Sequence, residues 1–437
     1  MTSPRLTVEI LPGLAGVAAT EWDALSQGPA GNGNPPALND LATNPDSSPE
    51  TGARPPQAPE SSPEEEDDSA PEVAESPSEE DEANPFLTHA FLLALEQSGS
   101  VGGRTGWTPL HLLARDERGR ATGALPAYAK SHSRGEYVFD HAFAEAYTRA
   151  GERYYPKLQV CVPFTPATGR RLLVPAGPEA EAIRAGLVAG LEGLRQRIDA
   201  SSLHATFLTH RDRDTFLGQG FLERNDQQFH FEAAGYRDFQ DFLENLASRK
   251  RKVLKRERRD ALANGITVEW LTGSDLREAH WDAFFDFYME TGSRKWGTPY
   301  LARAFFSEIG QAMPEKILLI MAKRAGRSIA GALNFIGGNT LYGRNWGAIE
   351  HHPFLHFELC YYQAIDFALS RGLTRVEAGA QGEHKLARGY RPVKTISVHR
   401  FADPRFQRAV ADYLVRERAH VDAMQEELET LTPFRNP

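Results

Sequence analysis

The chain has 437 residues, a formal net charge of −10, 41% hydrophobic and 25% charged residues, so at roughly 150 residues per domain it predicts two or three domains with a sizeable core. A mean hydropathy of −0.46 and the lack of any uninterrupted apolar run near ~18 residues exclude a spanning helix, and the opening MTSPRLTVEILPG does not read as a signal peptide. Cys161 and Cys360 are too few for a disulfide framework or a thiolate zinc cage, which makes a soluble cytoplasmic protein the expectation.

In chain order, Leu6 to Ile10 alternates like a strand, and Ala18 to Leu25 reads as a short helix with Trp22 and Leu25 inward. Residues 28–84 then carry 15 Asp and Glu against one Arg, Arg54, with 11 of the 28 prolines and no Phe, Tyr, Trp, Ile or Met. Such a stretch buries too little apolar surface to offset its ordering entropy and is expected to be disordered. Its charge of −14 leaves the rest of the chain mildly basic, at +4. It reads as a tolerated loop insertion, or as an acidic tail that pairs with a basic groove. Pro85 to Glu96 is predicted helical, with Phe86, Ala90, Leu93 and Leu95 near helical spacing and Thr88 as cap.

Next comes an internal repeat. Residues 110–128 (LHLLARDERGRATGALPAY) and 317–335 (ILLIMAKRAGRSIAGALNF) each read as a strand, a Gly-Arg turn and a strand opening on Gly-Ala-Leu. A third strand is expected after each, at 135–140 and 339–347. Each set leads to a helix and a strand: Glu179 to Ile198 then His204 to Thr209, and Glu358 to Arg371 then Arg375 to Ala378. The link Phe239 to Asn264 carries a narrow helical stripe of Leu246, Val253, Leu254 and Leu262. Phe406 to Leu431 is amphipathic, with Val410, Leu414, Val421, Met424, Leu428 and Leu431 on one face. Two copies of one α/β unit are predicted.

The order strand, two helices, antiparallel meander, helix, strand resembles the N-acetyltransferase (GNAT) fold. The tandem arrangement resembles the Fem-type aminoacyltransferases. The strings NPFLTHAFLLALEQSGS (84–100), KSHSRGEYVFDHAFAEAY (130–147), YYPKLQVCVPFTPATGRRLL (154–173), SRKRKVLKRERR (248–259), LYGRNWG (341–347) and VEAGAQGEHKLARGYRP (376–392) resemble the bacterial family of N-acyltransferases labelled peptidoglycan biosynthesis or recognition proteins. The resemblance implies two tandem GNAT-like domains, 1–232 with the insertion and 233–437, of α/β (α+β) class with mixed, largely antiparallel sheets. It also implies acyl or aminoacyl transfer to an amine, with a cell-envelope or peptidoglycan-precursor acceptor. A Lys after the same strand in Fem-like sequences supports Lys385.

Amine acylation needs a base and donors for the developing oxyanion. In 376–392 three glycines space out Gln381, Glu383, His384, Lys385, Arg388 and Tyr390 after a strand ending at Val376-Glu377-Ala378. Glu377, Glu383 and His384 are candidate bases. Lys385 and Arg388 suit a carboxylate or phosphate, Tyr390 is a candidate acid, and Gln381 lies among them; the alternative is a solvated polar loop. His132, Asp140, Tyr154, Lys157 and Arg171 are candidate substrate-binding residues from the other half, across a cleft; the alternative is a set of satisfied polar residues at a domain interface. A Ser–His–Asp triad around His132, Ser133 and Asp140 is disfavoured, because no G-x-S-x-G turn occurs.

The run Arg249 to Arg259 holds eight Lys or Arg in eleven residues. Arg249, Lys250, Arg251, Lys252 and Arg256 are candidate phosphate-binding residues, against a merely solvated helix face. Trp281, Phe284, Phe287 and Tyr288 read as core, with Lys295 to Pro299 as a loop over a pocket. His351-His352 shows no zinc spacing, so no metal is predicted. HHPFLHFELCYYQ (351–363) and GPEAEAIRAG (177–186) lack the glycine-rich turn that holds a pyrophosphate at a helix N-terminus. No tightly bound cofactor is expected. The acyl donor is aminoacyl-tRNA or acyl-CoA, with tRNA a candidate partner. Two alternatives remain open: an acyl-CoA-dependent N-acetyltransferase acting on a small molecule, and a non-catalytic module binding an anionic envelope precursor or nucleic acid.

Overall fold

The computed structural model describes residues 6–27, 83–295, 299–379 and 382–435, without the side chains of Lys295 and Glu383. The predicted disorder of the acidic segment, the residues Trp296 to Thr298 of the pocket loop, and Gln381 lie outside the described residues.

The first series of elements is β1 (Thr7–Leu11), α1 (Ala19–Ser26), α2 (His89–Gln97), β2 (Trp107–Pro109), β3 (His111–Arg115), β4 (Ala121–Leu125), β5 (Ala127–Lys130), α3 (His141–Arg149), β6 (Lys157–Val160), α4 (Ala180–Arg197), β7 (Ser202–Thr206), α5 (His210–Leu217) and β8 (Leu222–Glu232). The second is α6 (Phe239–Glu244), α7 (Ser248–Ala261), β9 (Ile266–Leu271), α8 (Glu278–Lys295), α9 (Arg303–Ala312), β10 (Ile317–Arg324), β11 (Arg327–Gly337), β12 (Thr340–Ala348), α10 (Leu355–Phe357), a π-helical turn (Glu358–Tyr362), α11 (Gln363–Ser370), β13 (Arg375–Glu377), β14 (Arg391–Phe401) and α12 (Pro404–Thr430). Thr88 caps α2 as predicted, its hydroxyl accepting from the Phe91 N–H at 3.3 Å.

Strands β1, β3 and β4 form a small antiparallel sheet. Pro126 follows β4 and cannot donate to a ladder, and beyond it β5 enters a large sheet of order β2-β5-β6-β7-β14-β8-β13-β12-β11-β10-β9. Two neighbour pairs in this sheet are parallel, β6 with β7 and β12 with β13. A helical crossover joins each pair, through α4 in one and α10 to α11 in the other. Two GNAT-like units thus run in tandem, their sheets mixed and largely antiparallel.

The units exchange strands. β14, from the end of the chain, lies between β7 and β8, and β8 lies between β14 and β13. β8 and β14 pair from His230↔Arg391 to Leu222↔His399. Aromatic packing adds a second junction: Phe86 sits 5.1 Å from Phe335, and Phe91 5.6 Å from Phe305, all buried. Full burial of each such ring stabilises by about 2–3 kcal/mol.

Several expectations need correction. Residues 135–140 form no strand, because Gly135 (φ +87°) and Tyr137 (φ +60°) turn the backbone and aim Glu136 inward at Lys130 and Lys157. The strand expected from His204 begins at Ser202 and ends at Thr206. The link 239–264 is two helices, broken at 245–247, where the Ala247 N–H bonds to the Pro433 carbonyl at 3.0 Å. Leu431 is 56% exposed, so the inward face of α12 stops at Leu428. Trp281, Phe284, Phe287 and Tyr288 are core, as predicted.

Candidate active site

β12 and β13 run side by side over Thr340 to Tyr342 and Arg375 to Glu377, and then part. The cause lies on the other edge of β12. Gly343 pairs with Asn334 and Asn345 with Leu333, so Arg344 is an extra residue, a β-bulge that bends the strand. A Cβ on Gly343 would lie 3.3 Å from the Glu377 carbonyl oxygen and 3.4 Å from Asn334 Oδ1, tighter than side chains usually pack. The parting strands enclose a cavity of about 100 Å³ whose walls include Asn334, Arg344, Asn345, Trp346, His356, Cys360 and Tyr361. A groove of about 480 Å³ continues past Trp346 and His356 to His351, His352, Phe354 and Arg294. Beyond Tyr342 the β13-facing edge of β12 has no partner strand among the described residues, and the backbone N–H groups of an open strand edge can donate to a developing negative charge.

The glycine-spaced loop closes one end of this region. A 3₁₀ turn, Glu383–Arg388, is bounded by Gly382 (φ +118°) and Gly389 (φ +87°). It buries Lys385, whose Nζ donates to the Gly379 carbonyl at 2.9 Å. Burial pulls the Lys385 pKa from 10.5 down to about 7, with only the Cys360 thiol acting the other way. His384 is exposed, and its Nε2 lies 2.8 Å from the Tyr361 hydroxyl. Tyr390 is fully buried, its hydroxyl finds no partner among the described residues, and burial raises its pKa well above 10. Its ring lies 5.6 Å from that of Tyr361. Arg388 is buried against Glu257 of α7, with its ring-facing side 3.5 Å from Phe357, so its guanidinium fixes the loop instead of presenting a charge to a ligand. Glu377 faces away from the cavity, 3.9 Å from His230 Nε2, and borders a separate space of about 40 Å³ with Arg375 and Arg170. Burial, then Arg375 and Lys385, push His230 down to about 3.

At the matching place in the first unit a side chain fills the space. Where β6 and β7 end, Arg171 is fully buried and donates to the carbonyls of Thr206 (3.1 Å), Gly169 (3.0 Å) and Ala167 (2.7 Å). Desolvation lowers its pKa to about 10. Lys157, Asp140 and Tyr154 are bonded to one another: Lys157 Nζ to Asp140 at 2.5 Å and to Ser133 at 2.9 Å, and the Tyr154 hydroxyl to Asp140 at 2.7 Å. His132 bonds to the Thr105 carbonyl at 2.8 Å. Lys157, Asp140 and Tyr154 thus form a buried network inside the first unit, His132 is half-buried, and none of these residues is among those that line the cavity. The halves do meet at the bulge, where the Arg344 guanidinium donates to the Phe164 carbonyl.

On α7, Arg249, Lys250, Lys252 and Arg256 are exposed and Arg251 half-buried. The inward face is tied down by Glu257 and by Arg258, which bonds Glu358 at 2.9 Å and Asp366 at 2.6 Å. Among the described residues no three His, Cys, Asp or Glu side chains are placed to share a metal ion. No described helix is long and apolar enough to cross a membrane.

Sequence reasoning missed Asn334, Arg344, Cys360 and Tyr361. The signal for a bulge was the glycine pair in LYGRNWG, and HHPFLHFELCYYQ was weighed only for the glycine it lacks.

No curated protein matches the chain. Among solved structures it is similar to FemX (13% identity, covering 67% of this chain and 88% of that one, TM-score 0.43). It is also similar to L-PGS from Bacillus licheniformis (9%, 74% and 95%, TM-score 0.45). A third likeness is to a tandem GNAT protein from the clavulanic acid biosynthesis pathway (12%, 92% and 99%, TM-score 0.40). A family model described as peptidoglycan biosynthesis/recognition matches residues 69–436. With most of its length matched and two GNAT-like units in tandem, the chain belongs to the FemAB-like family and is an acyl or aminoacyl transferase.

Proposed function

We propose that the protein acylates an amine of a cell-envelope or peptidoglycan-precursor acceptor at the gap between β12 and β13. The observation that carries this is the contrast between the two units. A bulge opens the gap in the second, while Arg171 fills its counterpart in the first.

In this reading the donor carbonyl enters between the strands and its developing oxyanion faces the unpaired β12 edge. The acceptor arrives from the Arg344 side, where the halves meet. Lys385, half neutral near pH 7, takes the proton the amine must lose. Tyr361, hydrogen-bonded to His384, protonates the leaving group, the role first expected of Tyr390. The donor is anionic, an aminoacyl-tRNA or an acyl-CoA, and the exposed cations of α7 attract it. Phe354, at φ +63° before α10, stands where a glycine-led pyrophosphate turn would be, which favours aminoacyl-tRNA. We place the reaction in the cytoplasm, where both donors are made.

The test is incubation of the full chain with labelled acetyl-CoA or a mixture of labelled aminoacyl-tRNAs, with UDP-linked peptidoglycan precursors as acceptors. Mass spectrometry should find an amide product whose formation falls about 100-fold in Lys385→Met. No amide from either donor would overturn the reading.

A further inference from the structure

Arg344 is the extra residue of the β12 bulge, and a bulge re-aims the side chain it carries. The residue lines the cavity, and its guanidinium reaches across to the first unit, donating to the Phe164 carbonyl and lying 5.8 Å from the Phe86 ring. Phe164 presents that carbonyl from φ +59°, a backbone conformation costly for a bulky residue. The contact takes one of the guanidinium's five N–H donors and orients the rest.

Elsewhere in the second unit, guanidiniums withdrawn from water are neutralised: Arg258 bonds Glu358 and Asp366, and Arg388 bonds Glu257. Arg344 forms no ion pair among the described residues. No Asp or Glu is among the described residues that line the cavity beside it. Glu377 acts on it without an ion pair and is turned toward His230. Burial outweighs this compensation and pulls the Arg344 pKa below 12.5. A charge drawn from water without a bonded opposite carries a desolvation cost that an anionic ligand offsets.

We propose that Arg344 holds a carboxylate of the acceptor, so that the amine acylated here lies beside a free carboxylate on the same amino-acid unit. This rests on the transferase reading of the same cavity and names its acceptor chemistry. The planar guanidinium fork matches a carboxylate. Arg344 follows Gly343, where β12 and β13 part, so an anion bound to it sits within a few bonds of the reacting amine. The phosphates of a tRNA or CoA donor lie several bonds further from the carbonyl, and the exposed cations of α7 are available to them. A free amino acid and an amino-acid residue in a peptide stem both present this amine–carboxylate pair.

The test is isothermal titration of the full chain with L-alanine, meso-diaminopimelate and the tripeptide L-alanyl-γ-D-glutamyl-meso-diaminopimelate. Each is compared with the form in which the carboxylate beside the free amine is a carboxamide. At least one carboxylate form should bind the wild type about tenfold or more tightly than its carboxamide. That preference should vanish in Arg344→Met and persist in part in Arg344→Lys. A preference confined to the tripeptide assigns the site to a peptide stem, and one shared by the amino acids assigns it to a free amino acid. Equal affinity for both forms of every probe, or no binding of any, would overturn the proposal in the wild type alone, whatever the folding of the variants. An undiminished preference in folded Arg344→Met would overturn it too. Amide formed equally well from both forms would overturn the carboxylate site and leave the transfer intact. A carboxylate preference lost in Arg344→Met, with no amide from either donor, would support the site and count against the transferase reading.

Discussion

Arg388 and Glu257 form a doubly bonded pair, with one guanidinium nitrogen 3.0 and 2.9 Å from the two carboxylate oxygens. The pair ties α7 to the loop that carries Lys385. The Tyr362 hydroxyl also donates to Glu257. Glu257→Ala leaves a buried guanidinium uncompensated, which should cost about 3 kcal/mol. In chemical denaturation the double variant with Arg388→Met should lose less than the two single variants summed.

Lys385 gives the activity a pH signature. Its folded pKa, about 7, lies below the ordinary 10.5. Between those values the unfolded chain binds the extra proton, so this group's contribution to stability rises with pH across the window. The neutral base accumulates over its lower end. Amide formation should climb with pH to a plateau just above pH 7, and a pH–rate profile of Lys385→Arg should show neither the climb nor the plateau rate.

His204 and His399 face each other across β7 and β14, their Nδ1 atoms 2.7 Å apart. Burial, then Lys157, push His204 down to about 3. Burial, then His204 and Arg224, hold His399 well below 6.5. Groups depressed in the fold gain protons on unfolding, so stability falls as pH drops from 6.5 toward 3. Asp140 adds to this at the acid end: burial opposes its charge, but Lys157 and His204 hold its pKa low, and its stabilisation is lost only as the pH falls below about 3.8. Urea midpoints measured at stepped pH should decline over 6.5 to 4, and less steeply in His399→Asn.

The exposed cations of α7 are free of the buried ion pairs on its inner face. Replacing Arg249, Lys250, Lys252 and Arg256 by Ala should leave the melting temperature within about 2 °C, since isolated surface charges contribute little. The same variant should bind tRNA more weakly and with a shallower salt slope, by about one unit for each phosphate no longer neutralised. Filter binding at several salt concentrations checks this.

The repeat revealed the architecture because strand–turn–strand units with Gly-Ala-Leu openings are local patterns. Alternation and turn residues therefore located β3, β4, β10 and β11 closely. The strand at 135–140 was misread because Glu136 turns inward to meet Lys130 and Lys157, partners contributed by other segments. The exchange of β8 and β14 was invisible for the same reason, since pairing across some 170 residues leaves no periodic mark. In the site, Lys385 stood out by the resemblance to Fem-like sequences, where a Lys follows the same strand. Arg388, Arg171 and Lys157 looked the same in sequence, but burial beside Glu257, three carbonyls and Asp140 gives them structural duties. Cys360 and Asn334 became visible only once the bulge at Arg344 had opened a space beside them.

Because β14 occupies a slot between two strands made long before it, the front of the protein cannot close its sheet until the ribosome has delivered residue 401. Until then β7 and β8 present bare edges to any neighbouring chain. Synthesis must therefore pass β14 before either unit is safe from mispairing, and a gene split between β8 and β14 would yield two fragments that need each other to fold.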